Sequence, residues 1–425
     1  MKRLFPTSTV NREPEKKPES ATPQAPRANM QKPRASAGDS GRICFECDVA
    51  SLAASGRYGR ELLLASRGIE LPLSLHARKS YDHDDAFPLP PFLERLAQRP
   101  PSGLIRLVCL PAFALPEHIE SGRYWALTSF NPDHLTQPER RALSRPERLF
   151  VPSEAHAARL REAKIPADRI RIIEPAVHPL VFNPRAQWPA AQLEKPDEFL
   201  FISVISPLRR HGIDLLLRAW VEEFRAGEPV RLILKLSHLP RLKKRLPYEI
   251  SDLSMRLGAL NRMFAPVSIL EGSWPEESLA GLIAGSHVFV CTDRLPFTGF
   301  RVREALACGV PVIAPASVCA VAHIDEEVGY LVETTESEQP AGGLYPESPA
   351  CRLEEPNIPA LRRRMREAFL AAPGVKRRGQ EAAHRAEALT DWENRARVLL
   401  SALSDPVKPA GPRNTVRRGA DKEEG

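Results

Sequence analysis

The feature that most constrains the fold is an alternation, run through twice, of short β-branched stretches with segments whose apolar residues recur at helical spacing. In the first half "RICFECDVA" reads as a strand, "SLAASGRYG" as a loop, "RELLLASRG" as a helix and "IELPLSL" as the start of a second strand. "GLIRLVCLP", "YWALTSF", "RLFVPS" and "RIRIIEPAV" continue as strands, and "EAHAARLREAKI" between the last two carries an apolar stripe. The periodicity lapses around "VFNPRAQWPAAQLEKPDEFLF" and then resumes. "FLFISVIS", "GIDLLLRAWVEEF", "VRLILKL", a long basic helical region near Leu242 to Leu260, "PVSILEG", "PEESLAGLIAGS" and "HVFVCT" alternate strand with helix again. Strands separated by helices pair in parallel, so the expected class is α/β with two Rossmann-like domains. The expected boundaries are 41–185 for the first domain, 186–197 for the linker, 198–375 for the second domain and 376–404 for closing helices. Residues 1–40 and 405–425 read as disordered tails. At 425 residues the chain exceeds one ordinary core, which agrees with two domains.

Charge narrows the range of partners. The net charge is +7, with eight Lys/Arg against four Asp/Glu in residues 1–40 and five against three in 406–425, which leaves +1 for everything between. A specific nucleic-acid platform is not expected, because the basic excess sits in the tails and no aromatic-basic strip accompanies it. The tails can still touch anionic membranes weakly. No apolar run approaches a membrane span, and the opening "MKRLFPTSTVNREPEKK" has no apolar core of a secretion signal. Cys44 and Cys47 have CxxC spacing, but they lie within one strand and have no second pair to complete a zinc site. The other cysteines are scattered in apolar settings, as buried thiols of a cytoplasmic protein are. In "YDHDD", His83 among Asp82, Asp84 and Asp85 reads as a carboxylate-rich loop rather than fixed metal geometry. No metal and no cofactor are expected.

The stretch "PFTGFRVREALACGVPVIA" reads as a Gly/Thr/Pro loop, a short helix opened near Glu304, a C-cap at Gly309 and a buried parallel strand. Such a junction leaves amides and a positive helix end beside the strand ends, where an anionic ligand binds. Glu304 suits a hydroxyl pair, such as a ribose, one step from the phosphates. It suits equally a surface glutamate in a first helical turn, stabilised by the helix dipole.

These residues resemble the retaining glycosyltransferases of the GT-B type, the group 1 or family 4-like enzymes that include sucrose synthase and bacterial mannosyltransferases. The resemblance covers nearly all of residues 41–404. It is carried by "VPSEAHAARLREAKIPADRIRIIEPAVHPLVFNP", by "FISVISPLRRHGIDLLLRAW" and, most specifically, by "EALACGVPVIA". It implies a GT-B-like fold, two Rossmann-like domains facing across a cleft, with the C-terminal helix "TDWENRARVLLSAL" returning across it to turn Trp392 and Leu399 toward the first domain. It implies transfer of a sugar from a nucleoside-diphosphate sugar to a glycan, lipid-linked or other hydroxyl acceptor, in the cytoplasm or at the inner face of the membrane. Glu304 matches the second glutamate of the family's motif, which contacts ribose, while Pro296 stands at the first. His211 stands at the donor-phosphate lysine, between Arg210 and Gly212. Ile205 stands near a position where some members have arginine, Asn131 stands at an acidic position, and His178 stands where an aspartate opens the domain-closing turn.

Transfer requires cations or amides that stabilise charge growing on the diphosphate. The candidates are Arg209, Arg210 and His211 in one strand-to-helix loop, Lys235 at the end of the neighbouring strand, and Thr298, Gly299 and Phe300 before the Glu304 helix. Gly56 and Gly59 are the corresponding approach from the first domain, and His118 in "LPEHIE" is the candidate beside the transferred sugar. The departures at Pro296, His211, Ile205 and Asn131 leave a second class open, a catalytically inactive binding or scaffold protein on the same fold.

Overall fold

The computed structural model of the chain describes residues 43–51, 54–68, 73–77, 89–98, 104–119, 122–188, 198–205, 209–236, 264–272, 274–295, 298–340 and 350–404. The expected tails, the basic region near Leu242 to Leu260, "YDHDD" and Pro296 lie outside them. Residues 39–425 form one compact unit.

The first half is a parallel six-stranded sheet in the order β2-β1-β3-β4-β5-β6. The strands are β1 (Ile43–Cys47), β2 (Leu73–Ala77), β3 (Ile105–Cys109), β4 (Arg123–Leu127), β5 (Arg148–Val151) and β6 (Ile170–Ile172). Most of their side chains are apolar and buried, as in strands covered by helices on both sides, and the buried Glu46 of β1 is paired with Arg106 of β3. Helices α1 (Ala54–Ala65), α2 (Pro91–Ala97), α3 (Gln137–Ser144) and α4 (Glu154–Glu162) connect them. α3 starts on a capping box, in which Thr136 and Glu139 satisfy each other's backbone amides. α4 starts on Ser153, whose hydroxyl also bonds the buried His156 ring at 2.8 Å.

The second sheet runs β12-β11-β10-β7-β8-β9. Its strands are β7 (Phe199–Ile205), β8 (Val230–Leu236), β9 (Val267–Leu270), β10 (Val288–Val290), β11 (Val312–Pro315) and β12 (Gly329–Val332), all parallel. α5 (Ile213–Glu223), α6 (Glu276–Ala284), α7 (Phe300–Ala307) and α8 (Ala316–Ala322) link them. The antiparallel pair β13 (Thr334–Gln339) and β14 (Cys351–Pro356) follows, and the sequence reading did not anticipate it. "TTESEQ" has no apolar alternation; its pairing is supported by Arg352, which bridges Glu336 at 3.2 Å and Glu338 at 3.0 Å across the strands.

The chain then returns to the first half. α9 (Ile358–Leu370) packs on α5, and α10 (Ala372–Ala386) lies so close to α7 that a Cβ on Gly379 would stand 2.1 Å from the Gly309 carbonyl. α11 (Trp392–Ser404) packs on α1, and Trp392, Leu399 and Ala402 join the core built on β1, β3 and α1. This helix therefore crosses between the halves, as the resemblance implied. No helix among the described residues is long and apolar enough to cross a membrane.

The expected loop "SLAASGRYG" is a correction. Helix α1 already begins at Ala54, so Gly56 and Gly59 are helical residues. A Cβ on Gly56 would lie 2.5 Å from the Asp48 carbonyl, and one on Gly59 would lie 2.4 Å from Cys47 Sγ. Both glycines serve close packing of the helix on the sheet, so the loop expected here is not formed. The CxxC pair is divided by the pleat, because residues 44 and 47 of one strand point to opposite faces. Cys47 instead lies beside Cys109 of the adjacent β3, and burial together with that second thiol holds its thiol pKa well above the ordinary range.

Candidate functional site

In the second sheet the strand order reverses between β7 and β10, and ligands of open α/β sheets bind in the crevice beyond the strand ends at such a point. Two segments flank it there: the turn Arg209–His211 after β7 and the segment after β10 that leads into α7. They are tied together. Thr292 Oγ1 donates to the His211 carbonyl at 2.8 Å, the Arg294 amide donates to the Arg210 carbonyl at 2.7 Å, and Arg294 Nη1 donates to the Arg209 carbonyl at 2.6 Å. Gly212 holds the turn with φ +63°, and a Cβ there would lie 2.2 Å from the Thr292 carbonyl. Gly299, with φ +66°, does the same for the start of α7, whose first amides have no helical partner.

Glu304 is the fifth residue of α7 and is fully buried, so the reading of it as a surface residue in a first turn fails. Its Oε2 accepts from Arg301 Nη1 at 2.7 Å, and its Oε1 forms a close ion pair with Arg57 Nη1 of α1. Arg57 Nη2 also reaches Glu276 Oε1, at the first residue of α6, across 3.2 Å. Burial alone would lower the Arg57 pKa, but Glu304 and Glu276 hold it above its usual range. The Arg57 guanidinium lies 4.8 Å over the ring of Phe300. Phe300 in turn stands edge-on to Tyr58 at 6.0 Å and stacks on Trp392 at 6.2 Å. The Phe300 side chain thus belongs to the core of the first half, and only its backbone remains for the donor role expected of it.

The expected cations divide. Lys235 is buried at the end of β8, with Nζ donating to the Leu236 carbonyl at 3.0 Å and lying 4.8 Å over the ring of Trp274, which stacks on Trp188 at 4.5 Å. Burial, helped by Arg301, lowers its pKa to about 8, so its positive charge is easily altered near neutrality. Arg210 is half-buried and Arg209 is exposed. His211 does not supply the cation of the lysine it replaces. Burial and Arg210 lower its pKa despite Asp293, whose Oδ1 lies 2.6 Å from Nδ1. The carboxylate fixes the proton on Nδ1, which leaves Nε2 as a buried lone pair with no protein partner among the described residues. Thr298 is buried beside the start of α7.

His118 is exposed on the segment after the short turn that follows β3. Asn131 is buried and accepts from the Asp133 amide at 3.0 Å, which makes it a turn-former in its present state. His178 pairs with Glu61 of α1 at 2.7 Å, and this bond raises its pKa, so His178 bridges to the first half. No group of three or more His, Cys, Asp or Glu among the described residues is placed to hold a metal ion.

Sequence reasoning missed Arg57, Arg301, Asp293 and Glu276. Arg57 carried one signal, a charged residue set between Gly56 and Tyr58. Its partners lie on other elements and gave no local sign.

Two parallel Rossmann-like sheets, each with its crevice at the C-terminal strand edge, and a terminal helix crossing back define the GT-B fold. No family model matches the sequence, and no curated protein matches it. Solved structures do match. Sucrose-phosphate synthase from Thermosynechococcus elongatus superimposes with a TM-score of 0.65 at 18% identity, over 85% of this chain and 98% of that one. HepE from Anabaena in complex with UDP and glucose gives 0.60 at 16% identity, over 86% and 99%. A glycosyltransferase from Rickettsia africae gives 0.56 at 14%, over 85% and 97%.

Proposed function

We propose that this protein is a retaining glycosyltransferase that moves a sugar from a nucleoside-diphosphate sugar to a hydroxyl of a glycan or lipid-linked acceptor. The observation that carries the reading is the buried Glu304 at the topological switch point, with Thr298, Gly299, Arg210 and Lys235 on the elements around the same crevice. The UDP and glucose in the Anabaena relative support a ligand of this class. In this reading residues 41–185 form the acceptor side, 198–375 the donor side and 376–404 the crossing helices. Glu304 receives the ribose hydroxyls. Arg210, Lys235 and the first amides of α7 stabilise the diphosphate as its bond to the anomeric carbon breaks. The acceptor oxygen bonds to that carbon from the same face, and its proton passes to the leaving phosphate oxygen. His118 is assigned a hydrogen bond to the transferred sugar, and His211 Nε2 an acceptor role toward a hydroxyl. The donor class and the buried thiols support a cytoplasmic reaction.

A second reading, a nucleotide-binding or scaffold protein without turnover, is favoured by one observation: both Glu304 oxygens are already engaged, by Arg57 and Arg301. Titration of UDP-, GDP- and ADP-sugars into the full chain, followed by assay of nucleotide release and transfer, separates the two. Turnover lost at least about 100-fold in Glu304→Ala is expected, as for removal of a positioned charged contact. Binding without turnover would favour the second reading, and binding of no nucleotide sugar would defeat the transferase.

A further inference from the structure

The carboxylate assigned to ribose is held in a buried ion triad whose strongest outside member comes from the opposite half of the molecule. The Glu304 side chain is 1% exposed and that of Arg57 is 8% exposed. A ribose diol offers two neutral donors, whereas Arg57 offers a charged one, and charge-assisted hydrogen bonds are about twice as strong as neutral ones. The diol cannot displace Arg57 unless another part of the ligand takes the guanidinium. The position of Arg57 says which part. Its guanidinium lies 4.8 Å over the ring of Phe300, the first residue of α7, a helix whose opening amides suit an anion.

Resting on the nucleotide-sugar reading above, we propose that Arg57 is a donor-binding residue that works by exchange: the ligand's diphosphate draws Arg57 off Glu304, and the vacated carboxylate oxygen takes the ribose. Arg57 is neutralised by Glu304 and Glu276, and Glu304 by Arg57 and Arg301. After exchange Arg57 pairs with the diphosphate, through a planar fork that matches phosphate oxygens, and Glu304 keeps Arg301. No buried charge is left unpaired in either state, the condition under which a buried ion pair can be traded without a large penalty. A nucleoside without phosphates provides no such partner, so Arg57 opposes its binding. The same residue excludes the incomplete ligand and holds the complete one.

The test is calorimetric titration of UDP, GDP and ADP, each with its matching nucleoside, into the full-length wild type, Arg57→Ala and Glu276→Gln. In Arg57→Ala the nucleoside should bind at least about fivefold tighter, and the advantage of the diphosphate over its nucleoside should fall at least about tenfold, as loss of a charged contact implies. In Glu276→Gln, where a displaced Arg57 has no carboxylate left to pair with, the diphosphate should bind tighter and the nucleoside should not, so the advantage should grow. An unchanged diphosphate advantage in Arg57→Ala, or a nucleoside bound no more tightly, would overturn the exchange while leaving the donor site standing. Should Arg57→Ala fail to fold, unaltered affinities in Glu276→Gln would overturn it. If no diphosphate binds any of the three proteins, the donor reading itself falls.

Discussion

The two strand-to-helix junctions that meet between the halves, β1 to α1 and β10 to α7, are built on opposite plans. At the first, glycines sit inside the helix and press it onto the sheet edge, with Gly56 against the Asp48 carbonyl and Gly59 against Cys47. At the second, a glycine sits before the helix in the left-handed region and turns the chain so that the helix begins clear of the strand. A helix pressed down in this way turns Arg57 and Tyr58 to the other half, where they meet Glu304 and Phe300. A helix set off by Gly299 keeps its end amides available and carries Glu304 one turn further in. One junction supplies the side chains that close the crevice, and the other supplies the crevice.

The largest expected effect on this comparison comes from Phe300→Ala, which removes the one α7 side chain buried in the core of the first half, against Tyr58 and Trp392. It should cost about 3–5 kcal/mol, measured by denaturant unfolding. A cost below about 1 kcal/mol would mean that the halves are not joined through this ring.

The glycines come next. Gly56→Ala places a Cβ 2.5 Å from a backbone oxygen that cannot swing aside, and it should cost about 1–3 kcal/mol through displacement of α1. Gly299→Ala keeps a left-handed residue at φ +66° and should cost about 1–2 kcal/mol from backbone strain. The two should also differ in kind. The Gly56 variant should disturb the Arg57 pairing, and the Gly299 variant the first amides of α7, both readable as amide shifts in NMR spectra. Indistinguishable shift patterns would erase the contrast between the junctions.

The pH dependence is smaller, and on the acid side it follows from histidines of two kinds. Burial lowers the pKa of His156 to about 3 and lowers that of His211. For both, the folded value lies below the unfolded one, so their contribution is complete above the ordinary histidine range and is lost as pH falls through it. From about pH 6.5 downward His156 should cost about 1.4 kcal/mol for each unit. His178 has the opposite sign. Its bond to Glu61 raises its pKa, so its contribution is complete at lower pH and is lost as pH rises past the raised value. Being half-exposed, it should contribute well under about 1 kcal/mol. Unfolding curves should therefore fall steeply from pH 7 toward pH 5, and His156→Gln should flatten that limb. An acid limb unchanged in that variant would show that His156 is protonated in the folded protein.

How much of this was legible in the sequence follows the same division. The parallel strands were readable because runs such as "VRLILKL" and "FLFISVI" have the composition of doubly covered strands, and the α7 stop was readable from Gly309, which has φ +73°. The extent of α1 was not, because Gly56 and Gly59 weaken helix propensity and mark a loop unless the neighbouring sheet is known to need their missing side chains. The role of Arg57 was hidden for another reason. Its partners Glu276 and Glu304 lie far along the chain, and an ion pair made by tertiary approach leaves no periodicity. The charge of His211 could not be read either, since residue type fixes its range but burial beside Arg210 decides its state.

The central claim, that the crevice between these junctions is the nucleotide site, is tested most directly by hydrogen exchange of the full chain with and without a saturating nucleoside diphosphate. Slower exchange is expected in three segments, 54–62, 209–216 and 298–307, which carry Arg57, the Arg210 turn and the start of α7. Protection confined to other segments, or a bound diphosphate that slows none of these three, would contradict it.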